Sequence, residues 1–166
     1  MKVQLTTTLG EISLELDAEK APLTVENFVT YVKSGHYDGT IFHRVIKDFM
    51  IQCGGMDTDM NDLPTNDPIQ NEANNGLGNL LGSIAMARTG DPHSASAQFF
   101  INTADNAFLD HRAETQDGWG YCVFGKVSDG MDVVEKIQET VTTKRQGQQD
   151  VPEDVIFIEK VIIIEE

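Results

Sequence analysis

Basic residues are scarce in this chain. Lys and Arg total 12 against 27 Asp and Glu, giving the 166 residues a formal net charge of −15 at pH 7. So acidic a chain is a poor partner for phosphate backbones and for anionic membrane surfaces, so neither nucleic acid nor membrane is expected as a partner. Cysteine is scarce too: Cys53 and Cys122 are the only two. A disulfide framework in a small secreted domain needs more, and two thiols so far apart lack zinc-finger spacing. Reduced, semi-buried thiols in a cytoplasmic protein are the expectation. Long apolar runs are missing as well. The segment Met1-Lys2-Val3-Gln4-Leu5-Thr6-Thr7-Thr8 does not resemble a signal peptide, and no stretch approaches membrane-spanning length.

Several chemistries lack their residues. His36, His43, His93 and His111 are scattered, with no pair at the i, i+4 spacing of a helical metal site. Ser94 and Ser96 flank His93 closely, but no nucleophile elbow is present, and turn-forming hydroxyls explain them. No Walker or dinucleotide glycine pattern occurs, and Gly76-Leu77-Gly78 is a loop fragment. No metal and no cofactor are expected.

What is present is one domain's worth of short strands, spanning residues 1–166. Val3 and Leu5, then Ile12, Leu14 and Leu16, alternate with polar residues around Thr8-Leu9-Gly10, predicting a hairpin over 3–16 with Gly10 at positive φ. Ala21-Pro22-Leu23-Thr24 opens a helix whose stripe is Val25, Phe28, Val29 and Val32, capped by Thr24 or a close neighbour and stopped by Gly35. Phe28 reads as core. Strands are predicted over 40–52 (two), 80–87, 97–103, 122–127, 155–158 and 161–164, and a second helix over 129–139 with Met131, Val134 and Ile137 on one face and Asp129 as cap. Residues 56–79 and 110–120 read as long polar loops, the former functional or Ω-like, and 140–152 as a polar linker. About eight strands and two amphipathic helices suggest a mainly β fold, a closed antiparallel barrel capped at both ends.

The stretch Phe42-His43-Arg44-Val45-Ile46-Lys47-Asp48-Phe49-Met50-Ile51-Gln52-Cys53-Gly54-Gly55 carries the chemistry. Strand alternation puts Phe42, Arg44 and Ile46 on one face and His43 and Val45 on the other, where His43 reads as a satisfied inward histidine. A guanidinium among apolar residues is costly unless acceptors or a ligand meet it, although an edge Arg with its stem packed and its head in water is the plainer alternative. Phe49-Met50-Ile51 and Gln52 follow, then two glycines that permit a bend or a close backbone approach. One Arg, one amide and an apolar wall make a site that binds a carbonyl and a ring without acid, base or nucleophile. Residues 86–103 answer this stretch with a second amide, Gln98, beside Phe99 and Phe100.

Together FHRVIKDFMIQCGG at 42–55, AMA at 85–87, SAQFFI at 96–101 and VFGKV at 123–127 resemble the signature of the cyclophilin-type peptidyl-prolyl isomerases, nearest to the short single-domain bacterial members. The resemblance runs over nearly the whole chain. It implies the barrel fold, a groove on the barrel's outer face, and rotation about X–Pro bonds in unfolded or flexible proteins, assisting folding. By resemblance Arg44, Phe49, Gln52 and Phe100 are catalytic positions. Met50, Ala87, Arg88, Thr89, Gln98, Phe108, Leu109 and Tyr121 are substrate-binding positions, with Ala87 to Thr89 running along the peptide. Three matches depart from the animal pattern: Phe108 replaces a Trp, Tyr121 a His, and Arg88 an Asn. In the family that Trp contacts the inhibitor cyclosporin, so weak cyclosporin binding is implied, unless Trp119 in the neighbouring loop fills the wall. One small groove and the high charge favour a monomer. Two other readings stay open: a non-catalytic peptide-binding module or holdase using the same groove, and a barrel holding a small apolar ligand inside.

Overall fold

The computed structural model describes residues 1–166. Ten strands and two helices follow in order. They are β1 (Lys2–Thr7), β2 (Gly10–Leu16), α1 (Pro22–Lys33), β3 (Phe42–Ile46), β4 (Met50–Cys53), β5 (Ser83–Met86), β6 (Phe99–Asn102), β7 (Val123–Asp129), α2 (Met131–Gln138), β8 (Thr142–Arg145), β9 (Gln148–Pro152) and β10 (Ile158–Glu165). Eight strands form one antiparallel sheet in the order β10-β1-β2-β7-β5-β6-β4-β3. The barrel is less closed than expected. Its two edges meet just before β3 and β10, through an Ile41–Phe157 bridge and bonds such as Phe42 N–H to Ile156 O at 2.9 Å.

Alternation along the strands sorts side chains into an inner core and an outer face. On β4, Ile51 and Cys53 join the main core of 31 buried residues, and on β6 Phe99 and Ile101 do so. Ile84 and Met86 of β5 and Phe124 of β7 complete that layer. The intervening Met50, Ala85, Phe100 and Val123 form a second, smaller apolar cluster with Leu109 on the other side of the sheet. Helix α1 covers the main core. Its Phe28 is fully buried as predicted, with ring centroids 5.1 Å from Tyr37, 5.4 Å from Phe99 and 5.3 Å from Phe124.

Several local expectations change. Strand β3 does not alternate cleanly. A bulge between Phe42 and Arg44 sets Phe42 in the main core with Val45, so Phe42 does not share the Arg44 face. Thr24 does not cap α1, because it lies inside the first turn; the residue before the helix is Ala21, which has no capping side chain. The cap comes from the 56–79 loop instead. The Glu72 carboxylate accepts from Leu23 N–H at 3.3 Å, Thr24 N–H at 2.7 Å and the Thr24 hydroxyl at 2.7 Å, where the helix dipole favours negative charge. Helix α2 starts after Gly130 (φ 96°), and Asp129 accepts from Gly130 N–H rather than from the helix. The supposed linker 140–152 is the β8–β9 hairpin, turned at Gln146 and Gly147, both at positive φ. Of 155–158 only Ile158 joins a long strand. Cys53 and Cys122 are unpaired, and both are buried rather than semi-buried. Burial pushes both thiols up, Cys122 to about 11. No helix is long and apolar enough to cross a membrane.

Candidate active site

The outer cluster forms the floor of a cleft of about 310 Å³. Met50 and Phe100 come from the adjacent strands β4 and β6, and Leu109 from the short 3-10 turn Ala107–Leu109. Phe49 forms one wall, its ring stacked on Phe108 with centroids 5.8 Å apart. Tyr121 also lines the cleft, edge-on to Phe100 at 5.8 Å. Phe108 is 70% exposed, so this rim is an uncovered aromatic surface.

Polar groups converge on one side of this floor. Arg44 is exposed, with its guanidinium carbon 6.0 Å from the Phe49 ring centre. It donates from Nη1 to Gln52 Oε1 at 3.4 Å, and Gln52 Nε2 donates to Gln98 Oε1 at 2.9 Å. The three side chains form a short relay, because Arg44 pairs with Gln52 across β3–β4 and Gln52 with Phe100 across β4–β6. Gly55 makes room for its far end: a Cβ there would overlap the Gln98 carboxamide. The close backbone approach read from the glycine pair therefore serves the site.

A second cavity of about 160 Å³ adjoins the first and shares Gln52, Ala87 and Arg88 with it; Thr89, Ser94, Ser96 and Gln98 complete its lining. Arg88 stands between the two cavities. Its guanidinium carbon lies 4.4 Å from the Tyr121 ring centre, its Nε donates to Gly120 O at 3.1 Å, and its Nη1 donates to Thr89 O at 2.9 Å. Every site residue singled out from the sequence thus lines one cavity or the other. Size alone does not mark the site: a separate cleft of about 280 Å³, lined by Leu77, Leu80 and Leu81 with Asp17, Ser83 and Lys126, has neither an arginine nor a side-chain amide.

Two neighbours, His43 and Trp119, behave differently from expectation, and a third, Ser94, behaves as expected. His43 is buried, but its Nδ1 has no hydrogen-bond partner, so it is not satisfied. Burial, with the Arg44 charge adding to it, pushes its pKa down to about 4, so it is neutral at pH 7 and does not compete with Arg44 as a cation. Trp119 does not fill the cleft wall. It is buried in its own loop between His93 and His111, with centroids 5.0 and 5.1 Å away. The Ser94 hydroxyl donates to Asp91 O at 2.6 Å and accepts from Thr89, as a turn residue would.

Sequence reasoning missed the supports. Asn106 Nδ2 donates to Phe49 O at 2.8 Å and to Asn102 Oδ1 at 2.8 Å, while Asn102 Nδ2 donates to Asn79 Oδ1 at 3.0 Å and Ser83 Oγ at 2.9 Å. All three asparagines are buried. This network ties the Phe49 backbone to the turn bearing Phe108 and Leu109. Asn79 and Asn106 lie outside the predicted strands, where turns use the same residue, and Asn102 lies near the end of a predicted strand, so none of the three gave a signal. No group of three or more His, Cys, Asp or Glu is placed to hold a metal ion.

Comparison with known proteins identifies the family and the fold. The family model described as cyclophilin type peptidyl-prolyl cis-trans isomerase matches residues 2–163. The chain is 59% identical over 162 residues to a peptidyl-prolyl cis-trans isomerase of Streptomyces antibioticus, covering 98% of each protein. It is 53% identical over 159 residues to peptidyl-prolyl cis-trans isomerase B of Escherichia coli, covering 96% of this chain and 97% of that one. Among solved structures it is similar to a cyclophilin type isomerase of Cryptosporidium parvum, crystallised in the presence of the dipeptide Ala-Pro. That match has a TM-score of 0.81 and 26% identity over 100% of both chains.

Proposed function

The chain belongs to the cyclophilin-type peptidyl-prolyl cis-trans isomerases, and from that premise we propose that the outer-face cleft is where it turns X–Pro bonds in unfolded or flexible protein segments. The observation that carries this reading is one guanidinium, Arg44, held by an amide relay at the edge of an apolar floor. Cis and trans X–Pro differ by only about 0.5–1 kcal/mol, but they interconvert in tens to hundreds of seconds. The barrier is amide resonance, about 18–20 kcal/mol for peptide bonds in general. No bond forms or breaks, so the site need only favour the twisted amide, whose nitrogen is pyramidal and carries a lone pair.

Phe49, Met50, Phe100 and Leu109 hold the proline ring and keep water away. Arg44 donates to the prolyl carbonyl and to the developing lone pair, a contact that strengthens as the bound peptide covers it. Gln52 and Gln98 fix the guanidinium and bind peptide backbone. Ala87, Arg88 and Thr89 flank the peptide, and Phe108 and Tyr121 bound the cleft. The reading takes residues 1–166 as a single domain, monomeric and cytoplasmic, acting without cofactor. A pure peptide clamp would use the same walls but would not speed rotation. Exchange NMR on an Ala-Pro peptide separates the two: faster cis–trans exchange is expected, and binding without exchange would establish the clamp.

Gly55→Ala tests the relay from its far end, leaving Arg44, Gln52 and the apolar floor in place. The new methyl displaces the Gln98 carboxamide, and loss of one hydrogen bond to the Arg44–Gln52 pair should lower kcat/KM by about two- to ten-fold. Circular dichroism should remain that of the parent. A parent-like rate would mean that the relay does not position Arg44.

Cyclosporin should bind weakly, and Phe108→Trp should tighten it. Phenyl has no N–H donor, and an inhibitor carbonyl buried without a partner costs about 1–3 kcal/mol, roughly a five- to hundred-fold loss in affinity. With Trp119 enclosed in its own loop, position 108 is the place to restore the donor. Inhibition constants for the two proteins, read by peptide turnover, decide this; equal values would remove position 108 from the explanation.

A further inference from the structure

The charge around the cleft has the opposite sign to the charge of the protein. The chain carries 27 Asp and Glu, yet none of them lines either of the two adjoining cavities, whose only charged side chains are Arg44 and Arg88. No carboxylate lies within ion-pairing distance of either arginine. Arg44 is taken up by the proline end of the site. Arg88 is not needed there, and it faces both cavities.

Arg88 is also held in place. Two backbone carbonyls and the face of Tyr121 fix its guanidinium, through donors on Nε and Nη1. Its Nη2 makes no hydrogen bond within the protein, which leaves a pre-oriented edge of the fork for a ligand. A guanidinium already fixed loses little rotamer freedom on binding, and an apolar ring behind it limits its hydration.

We propose that Arg88 gives this groove a preference for proline segments that carry a carboxylate side chain, Asp or Glu, a few residues from the isomerised bond. The inference rests on the isomerase reading and specifies its substrates. The carboxylate occupies the second cavity and accepts from Arg88, while Thr89, Ser94 and Ser96 supply a polar lining rather than a competing charge. At longer range the net charge of −15 repels acidic chains. That repulsion is screened beyond about 8 Å at physiological salt, whereas a contact pair inside a cleft is screened less. The two effects therefore have opposite signs and can be separated.

The test uses the whole protein and a set of short Ala-Pro peptides in which Glu, Gln or Lys is walked one position at a time on both sides of the proline. Exchange NMR gives kcat/KM for each peptide with the parent, Arg88→Gln and Arg88→Lys. At the position that reaches Arg88, the parent should favour Glu over Gln by about five-fold, as for a partly exposed charge-assisted pair. Arg88→Gln should bring that ratio to one or below, since only the repulsive field remains, and Arg88→Lys should keep part of it. The ratio is read within each protein, so a change in overall rate does not affect it. If Glu is favoured nowhere by the parent, or is favoured equally by Arg88→Gln, the inference is overturned. If no peptide in the set is isomerised, the isomerase reading itself fails.

Discussion

Arg44→Ala is expected to lose turnover of an X–Pro peptide by about a hundred-fold or more while the protein stays folded. The magnitude is that of removing one donor aimed at charge that develops only in the transition state. Stability should hardly change, because Arg44 is exposed and its one side-chain bond, to Gln52 at 3.4 Å, is long. Peptide affinity should fall less than turnover, since the apolar floor remains. Arg44→Lys should fall between the two, keeping the charge but losing the planar fork that can serve a carbonyl and a lone pair together. Turnover near the parent rate in a folded Arg44→Ala protein would sink the mechanism. His43 does not replace the lost cation: burial, the largest cause of its lowered pKa, persists when the Arg44 charge is removed.

Phe100→Ala is expected to cost both stability and binding. Phe100 is 4% exposed, lies under the cleft and packs with Met50, Ala85, Leu109 and Val123. Deleting a buried Phe side chain costs about 3–5 kcal/mol, with the lower end expected here because the site opens to solvent. The proline ring would lose its floor, so peptide affinity and kcat/KM should drop together. Phe100→Leu keeps most of the buried volume, and it should unfold close to the parent midpoint while still binding proline peptide more weakly. Denaturant melts and peptide titrations on both variants distinguish the cases. Unchanged affinity in folded variants would make Phe100 a packing residue and move the proline elsewhere.

The period-two pattern of Met50-Ile51-Gln52-Cys53 and of Phe99-Phe100-Ile101 is legible in the sequence itself. It sorts each strand into one residue for the core and the next for the outer face, and that local rule places Met50, Gln52 and Phe100 on the outside. The family motifs carried the remaining site residues, and the fold class followed from strand count and the two amphipathic helices.

Tertiary structure decided what depends on residues far apart in the chain. The first turn of α1 is capped by Glu72, which lies 48 residues from Thr24, so no local window could pair them. The bulge at His43 exists only relative to β4, and it is what separates Phe42 from Arg44 despite their spacing of two. The β8–β9 hairpin has little apolar sequence to announce it, yet Val151 is buried. Trp119 could have faced the cleft or its own loop; it packs between His111 of that loop and His93, which comes from the separate turn at residues 90–94. Where a strand pairs without a bulge, local spacing determines which way a side chain points, because that is set by backbone geometry within a few residues. Which groups it meets there is set by pairing across the sheet and between loops, where the cost of bringing distant segments together is met by burial of the whole core.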